Sequence, residues 1–268
     1  MKFIQKFSIA IVGFTLLFGM TITPASSITH GVLDGQAHPY VGLMVFDVNG
    51  SPAWRCTGTL VNPTTMLTAG HCTYGTSSGR VWFNSNDQAA ILASGYPSTG
   101  GIEFTNIQTH PDFNPNAFYL HDMGLVTLAQ PVYVSTYGQL PSLGYFTQLL
   151  ATPAYHHQDF TPVGYGLQWA NSGINTVAHL IRYQATVNVI TGDAIFSPGS
   201  SDSILFTNNA ATGGTCFGDS GGPIFIAGTN VIAAITSFGM NSECGGTGGG
   251  YRMDVPSSQN FFNAYVGA

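Results

Sequence analysis

The chain has 268 residues, enough for one large β-rich domain or two small ones with a substantial core. Charged residues make up 7% and hydrophobic residues 44%, a composition that excludes a disordered polyelectrolyte. Six lysines and arginines stand against 12 acidic residues, and so few cations for phosphate contacts argue against nucleic-acid binding. The 34 glycines and 14 prolines favour short strands joined by tight turns.

Residues 1–27 have the pattern of a secretory signal peptide. Lys2 and Lys6 precede an apolar run over 8–20 that is short for a bilayer span, and small residues follow up to Ser27. We expect cleavage after Ser27 and a secreted protein, extracellular or periplasmic, with no membrane contact afterwards. Loss of both lysines leaves four arginines against 12 acids, so the formal charge moves from −6 to −8. An uncleaved membrane anchor is the alternative.

Four cysteines allow three disulfide pairings, and export to an oxidising compartment favours disulfide formation. The residues alone leave the pairing open. A zinc site is the competing interpretation, although no C-x-x-C spacing supports it. The cysteines are Cys56, Cys72, Cys216 and Cys244.

Six short apolar runs bounded by turn-forming residues predict β-strands. Gly and Pro residues over 137–152 indicate a boundary between two strand-rich halves. Helical periodicity is weak except at the end of the chain, where Ser257 or Ser258 is predicted to cap a helix. The apolar face of that helix is predicted to comprise Phe261, Phe262, Tyr265 and Val266. The predicted strands cover 41–46, 58–61, 123–128, 186–190, 223–226 and 231–235.

A glycine-rich run surrounds Ser220, with the sequence Gly218-Asp219-Ser220-Gly221-Gly222-Pro223. A serine hydroxyl is a weak nucleophile that needs a nearby base and hydrogen-bond donors aimed at the developing oxyanion. Glycines let the backbone bend so that the N–H groups of Gly218 and Ser220 point into one space. Taken alone, the run also fits an ordinary turn, because glycine mostly marks turns.

His71 and Asp122 are the candidate partners of this serine. His71 follows an apolar strand and precedes a cysteine, and Asp122 leads directly into the strand predicted over 123–128. A carboxylate at a strand entry is costly unless it is paired or hydrogen-bonded. The order His, Asp, Ser is one of the known chain orders of a catalytic triad. Each residue alone also fits a structural role, and seven other histidines compete with His71.

Three sequence blocks together resemble the signatures of the chymotrypsin/trypsin-like serine peptidases. They are Thr68-Ala69-Gly70-His71-Cys72, His121-Asp122-Met123-Gly124-Leu125-Val126 and the run around Ser220, and they occur in the family order. Weaker matches, among them Gly164-Tyr165-Gly166 and Ser237-Phe238-Gly239, extend the resemblance over most of the chain after residue 27.

The resemblance implies one peptidase domain over 28–268 with an all-β fold. Two packed six-stranded Greek-key β-barrels are expected over about 28–140 and about 141–255, followed by a short helix over about 256–266. The implied activity is that of a serine endopeptidase acting on protein or peptide substrates. We expect a monomer that needs no cofactor or metal and that protein inhibitors can bind.

The resemblance also assigns catalytic roles by position. His71 resembles the general base, and Asp122 resembles the acid that orients it. The N–H groups of Gly218 and Ser220 resemble the oxyanion hole. The family's disulfide pairing selects one of the three options, namely Cys56–Cys72 together with Cys216–Cys244.

An activation ion pair is implied as well. In the family a freed N-terminal residue pairs its ammonium with the acid before the nucleophile, which would join Ile28 to Asp219. The run from Ile28 to Gly31 resembles the family's mature N-terminus, although His30 replaces a small residue. Signal cleavage after Ser27 would release this amine directly, without a zymogen stage. A short propeptide is the alternative.

The specificity pocket is the last implied feature. Gly214 would form its floor, where trypsin-type members carry Asp, and Gly239 and Gly249 would form open walls. Such an uncharged pocket favours cleavage after large apolar or aromatic residues. Glu243 leaves a basic preference as an alternative, and a catalytically inactive binding module is a second one. The other predicted lining residues are Thr215, Phe217, Ser237 and Phe238.

Overall fold

A computed structural model describes residues 28–84, 86–169, 177–191 and 202–266 of the chain. The predicted signal peptide lies outside the described residues, so its cleavage stays a prediction. Within the described ranges, each helix is too short or too polar to cross a membrane.

A closed barrel of six antiparallel strands makes up the first half. Its strands, after a short β1 (Val32–Leu33), are β2 (Val41–Val48), β3 (Ser51–Asn62), β4 (Thr65–Thr68), β5 (Ser78–Trp82), β6 (Ile102–Thr109) and β7 (Gly124–Leu128). They pair in the order β2-β3-β4-β7-β6-β5. The connections carry α1 (Gly70–Thr73), α2 (Gln88–Ala93) and a 3₁₀ turn at Pro115–Ala117.

The second half begins with α3 (Tyr145–Leu150) and a 3₁₀ turn at Pro153–His157. Its strands are β8 (Asp159–Gly164), β9 (Leu167–Trp169), β10 (Val177–Ala178), β11 (Tyr183–Gln184), β12 (Val187–Thr191), β13 (Ser203–Asn208), β14 (Pro223–Ile226), β15 (Ile232–Gly239) and β16 (Gly246–Arg252). The order β8-β12-β13-β16-β15-β14 closes on itself because β14 also pairs with β8. The predicted fold of two six-stranded barrels is confirmed.

The C-terminal helix α4 (Pro256–Val266) has the predicted bounds but not the predicted cap. Ser257 and Ser258 lie inside its first turn, because the helix begins at Pro256, a position where proline is favoured for its fixed φ and missing N–H. The Ser258 hydroxyl instead donates to the carbonyl oxygen of Arg252, at 2.6 Å. Tyr265, predicted on the apolar face, is exposed.

The N-terminal segment packs against the second barrel, so the predicted start of the first barrel at residue 28 is wrong. Val32 of β1 pairs with Gln184 of β11, and Thr29 forms a bridge with Gly214. Ile28 is fully buried, in an apolar cluster with Tyr183. These contacts join residues far apart in the sequence, so no local pattern could indicate them.

Both disulfides form with the predicted pairing. Cys56–Cys72 joins β3 to α1, and Cys216–Cys244 joins the loops that precede β14 and β16. The barrels share one apolar core, in which Val163 and Phe225 of the second barrel lie with residues of β2. The two barrels thereby hold His71 and Ser220, which lie in different halves of the chain, at one cavity.

Candidate active site

Asp122 is a buried carboxylate that collects three hydrogen bonds. The backbone N–H of His71 donates to its Oδ1 at 2.8 Å, and the Nδ1–Oδ2 distance to the His71 ring is 2.9 Å. The Ser237 hydroxyl donates to Oδ2 at 2.5 Å. An ionised carboxylate only accepts, so His71 carries its proton on Nδ1 and leaves Nε2 as the free base. Three donors offset the cost of burying the charge.

Local backbone geometry brings His71 and Asp122 together. Asp122 sits in a tight turn closed by the Met123 N–H on the His121 carbonyl at 2.8 Å, with His121 at a φ of 52°. This turn approaches α1 at Gly70, where a Cβ would lie 3.0 Å from the Met123 nitrogen. Glycine at position 70 therefore permits the close contact that lets Asp122 reach both the backbone N–H and the ring Nδ1 of His71.

The pKa of His71 is raised above its ordinary value. Burial disfavours the imidazolium, but the charge of Asp122 and its hydrogen bond outweigh that effect. The side chain keeps 28% of its surface exposed, on the wall of the cavity. The imidazole is thus a strengthened base that is still open to a substrate.

Ser220 lies in a loop that both barrels hold. Its carbonyl accepts the Thr57 N–H of β3 at 2.9 Å, and the next residue, Gly221, donates to the Thr236 carbonyl at 2.8 Å. Gly221 has a φ of 75°, and a Cβ there would collide with Thr68. The serine side chain, half-buried, lines the same cavity as His71.

Two peptide planes around Asp219 are fixed by hydrogen bonds to their carbonyl oxygens. Leu167 donates to the Phe217 carbonyl at 2.7 Å, and Gly222 donates to the Asp219 carbonyl at 2.7 Å. In a trans peptide the N–H points away from the C=O, so the Gly218 and Ser220 N–H groups point away from these donors. Neither N–H meets an acceptor in the described part of the chain, which leaves both available to an anion.

Asp219 lies in a cradle formed by the Gly164-Tyr165-Gly166 turn. Its carboxylate accepts the N–H groups of Gly166 at 2.7 Å and Cys216 at 2.9 Å. A Cβ at Gly164 or Gly166 would overlap this carboxylate, so the turn requires glycine at both positions. Burial raises the pKa of Asp219 to about 7, although these hydrogen bonds and the charge of Arg55 act in the opposite direction.

The predicted pair between Ile28 and Asp219 is not present in this uncleaved chain, because Ile28 is still bonded to the preceding residue and has no ammonium group. Its side chain is buried, and its backbone φ is 59°, an uncommon value for a β-branched residue. The ion pair stays a prediction for the cleaved protein.

A cavity of about 380 Å³ opens beside Ser220 and His71. Five of the predicted pocket residues line it: Thr215, Phe217, Ser237, Phe238 and Gly239. The sequence did not single out Phe118, Thr236 and Asn241, which line it too. Of the described residues on its wall, none is acidic.

Gly214 and Gly249, predicted as floor and wall, do not line this cavity. A Cβ at Gly214 would collide with the buried side chain of Asn208, which occupies the space beneath it. The ring of Phe238 covers Gly249 in the same way. The prediction that these glycines form the pocket surface is therefore wrong for this conformation.

Residues 33–261 match the family model described as Trypsin. The chain belongs to the trypsin family. It is 30% identical over 200 residues to chymotrypsin-like elastase family member 1 of Canis lupus familiaris, covering 70% of this chain and 72% of that protein. It is 24% identical over 253 residues to a collagenase of Hypoderma lineatum, covering 86% and 89%. The solved structure of HL collagenase superposes with a TM-score of 0.65 at 24% identity, covering 86% and 94%.

Membership of the trypsin family identifies the chain as a serine endopeptidase, a hydrolase of peptide bonds. Two contacts of the candidate site had no clear signal in the sequence. Ser237, predicted only as a pocket residue, also donates to Asp122, and the Thr57 hydroxyl donates to the Gly218 carbonyl at 2.9 Å.

Two groups of described residues in this trypsin-family chain lie close enough to hold a metal ion. One contains His71 with Cys56 and Cys72, but both cysteines are used in a disulfide. The other contains His110, Asp112 and His121. Ser257 lies within hydrogen-bond distance of both of these imidazoles, at 3.0 and 2.8 Å, and the Asp112 N–H donates to the second nitrogen of His110 at 3.2 Å. These nitrogens therefore already have protein partners.

Proposed function

We propose that this serine endopeptidase is secreted and cleaves peptide bonds through an acyl-enzyme on Ser220. His71 takes the hydroxyl proton as Ser220 attacks the scissile carbonyl, and Asp122 orients the ring and stabilises the imidazolium. The N–H groups of Gly218 and Ser220 stabilise the tetrahedral oxyanion. His71 then gives its proton to the leaving amine, and water releases the acyl group by the reverse sequence of proton transfers.

The observation that carries this proposal is the set of hydrogen bonds on Asp122. An aspartate with a purely structural role would not need a histidine between it and a cavity. In the hydrogen-bonded group of Asp122, His71 and Ser237, the His71 imidazole is the member that remains partly exposed. The wall of that cavity also contains a serine in a loop with two unoccupied N–H groups. Base, nucleophile and anion site are the parts that acyl transfer needs.

We propose a preference for large apolar or aromatic residues on the acyl side of the scissile bond. Three aromatic side chains of the cavity support it, namely Phe118, Phe217 and Phe238. Its volume lies within the range of small-molecule pockets. A basic preference would require a buried or facing carboxylate, and Glu243 is not among the residues that line the cavity.

A peptide-library cleavage profile of the mature protein tests this preference. We expect cleavage after Phe, Tyr, Leu or Met, and the profile of Ser220→Ala serves as the blank. Cleavage confined to bonds after Arg or Lys would overturn the apolar assignment. Failure of a fluorophosphonate to label Ser220 would instead favour the inactive binding module.

We further propose that signal cleavage after Ser27 activates the enzyme directly. The new ammonium of Ile28 would pair with Asp219, whose pKa is raised by burial in the uncleaved chain. Such an ion pair would favour the ionised carboxylate in its cradle.

N-terminal sequencing of the secreted protein is expected to begin at Ile28. A matched protein that retains Ser27 after cleavage should be folded but poorly active, because its first amine is one residue away from Asp219. A start at Ser26 or further upstream in the active protein would argue for a second trimming step, and full activity with Ser27 retained would contradict the ion-pair mechanism.

A further inference from the structure

Arg55 is the one arginine in the described ranges that forms no ion pair. Each of the others contacts a carboxylate: Arg80 with Glu103, Arg182 with Asp34, and Arg252 with Asp254, at 2.7, 2.6 and 2.7 Å. Residues 51–54 of β3 are exposed and 56–60 are buried, so half-buried Arg55 lies where the strand enters the protein. A partly desolvated cation without a carboxylate is costly, and such a position suits a ligand anion.

The guanidinium side chain lies directly against the loop that holds Ser220. A Cβ on Gly218 would be 2.8 Å from the Nε of Arg55 and 3.5 Å from its Cγ. Gly218 has a φ of 98°, which glycine adopts freely. The absence of a side chain at position 218 therefore gives Arg55 the space beside the candidate oxyanion site.

Arg55 lies outside the cavity that would receive the acyl side of a substrate, since it is not among the lining residues. It directly precedes Cys56, which is bonded to Cys72 beside His71. The histidine must deliver its proton to the leaving amine, so the leaving segment has to pass His71 and this disulfide. A chain on that path comes within reach of the guanidinium.

The carboxylate of Asp219 attracts Arg55 electrostatically but forms no ion pair with it. The hydrogen bonds that Asp219 accepts come instead from the backbone N–H groups of Gly166 and Cys216. In the activated protein proposed above, the Ile28 ammonium pairs with Asp219. Arg55 then remains as the uncompensated cation beside the reacting bond.

Resting on the proposed endopeptidase function, we propose that Arg55 binds a carboxylate of the substrate on the leaving-group side of the scissile bond. The carboxylate is carried by an Asp or Glu side chain at the first or second residue after the bond, or by a free C-terminus at that distance. Arg55 thereby determines specificity independently of the cavity, and substrates combine an apolar residue before the bond with an acidic group after it.

Amidated peptides that differ only by Glu or Gln at the first or second residue after the bond provide the test. We expect kcat/KM to favour Glu about five-fold at one position, as for a solvent-accessible ion pair. Screening by 0.5 M salt should bring the ratio close to one. A short peptide with a free or an amidated C-terminus at the same position distinguishes a terminal carboxylate from a side chain.

Two variants assign the effect to Arg55. In Arg55→Gln the Glu/Gln ratio should fall to about one, and in Arg55→Glu the protein should favour Lys over Glu at that position. Arg80→Gln is the matched control, because Arg80 forms a surface ion pair away from the cavity and should keep the wild-type ratio.

The proposal would be overturned if the Glu/Gln ratio of kcat/KM stays near five in Arg55→Gln. It would also be overturned if the wild type shows no preference for a carboxylate, whether on a side chain or at a free C-terminus. An equal loss of kcat/KM for all peptides in Arg55→Gln, with the ratio unchanged, would show that Arg55 only supports Asp219. If Ser220 is not labelled and no peptide is cleaved, the endopeptidase mechanism itself fails, and the Arg55 proposal fails with it.

Discussion

Replacing Ser220 with alanine is expected to lower kcat about 10⁶-fold, because the covalent step has no nucleophile and His71 has no hydroxyl proton to take. The loop should keep its shape, since its hydrogen bonds to Thr57 and Thr236 use backbone groups. Substrate affinity should therefore change little. Single-turnover kinetics on a peptide with Phe before the scissile bond measures the loss, and a binding assay with the same peptide checks the affinity.

Ser142→Ala is the matched control for this variant. Ser142 is exposed, and its backbone carbonyl accepts a hydrogen bond from the Tyr145 N–H at 3.2 Å, which the substitution does not affect, so wild-type kcat is expected. Residual activity of Ser220→Ala within ten-fold of the wild type, in a protein with unchanged thermal unfolding, would place the nucleophile elsewhere.

Part of the β-architecture was predictable because six of the strands carry a local apolar signal of their own. The apolar run predicted over 223–226 coincides with β14, since Gly222 and the turn after Ile226 bound it on both sides. The N-terminal segment carries no such signal. Its partner Gln184 lies about 150 residues further along the chain, and only the tertiary structure brings the two strands together.

Site residues that belong to a sequence motif were predictable. Site features that depend on contacts with residues from other parts of the chain were not. The family resemblance placed Gly214 at the pocket floor, but the side chain of Asn208 in β13 fills the space beneath it. Thr57 has no motif of its own in the sequence. Its hydroxyl nevertheless fixes the Gly218 carbonyl, because β3 passes behind the loop.

The proposed catalysis depends on contacts between the barrels more than on any one loop. The first barrel supplies His71 and Asp122, and the second supplies Ser220 together with Ser237. The hydrogen bonds from Thr57 to Ser220 and from Ser237 to Asp122 each cross between the two halves. A small movement of one barrel against the other would therefore separate His71 from Ser220 and would also disturb the orientation of the His71 ring.

The variant Asp122→Asn is expected to lower kcat about 10⁴-fold at neutral pH while the structure is kept. The Oδ1 position receives the backbone N–H of His71, which cannot become an acceptor, so the amide oxygen must stay there. The NH₂ group then takes the Oδ2 position and faces His71 Nδ1 and the Ser237 hydroxyl, both of which can adapt.

As a donor, that NH₂ group forces Nδ1 to accept and moves the ring proton to Nε2, the nitrogen that must take the proton of Ser220. The variant also loses the charge that raises the pKa of His71. Because the cavity is untouched, KM should stay close to wild type while kcat falls, and steady-state kinetics separates the two. Asp112→Asn, a change at an exposed aspartate, is the control and should leave kcat unaltered. A loss below ten-fold in Asp122→Asn would mean that His71 does not act as the base through this tautomer.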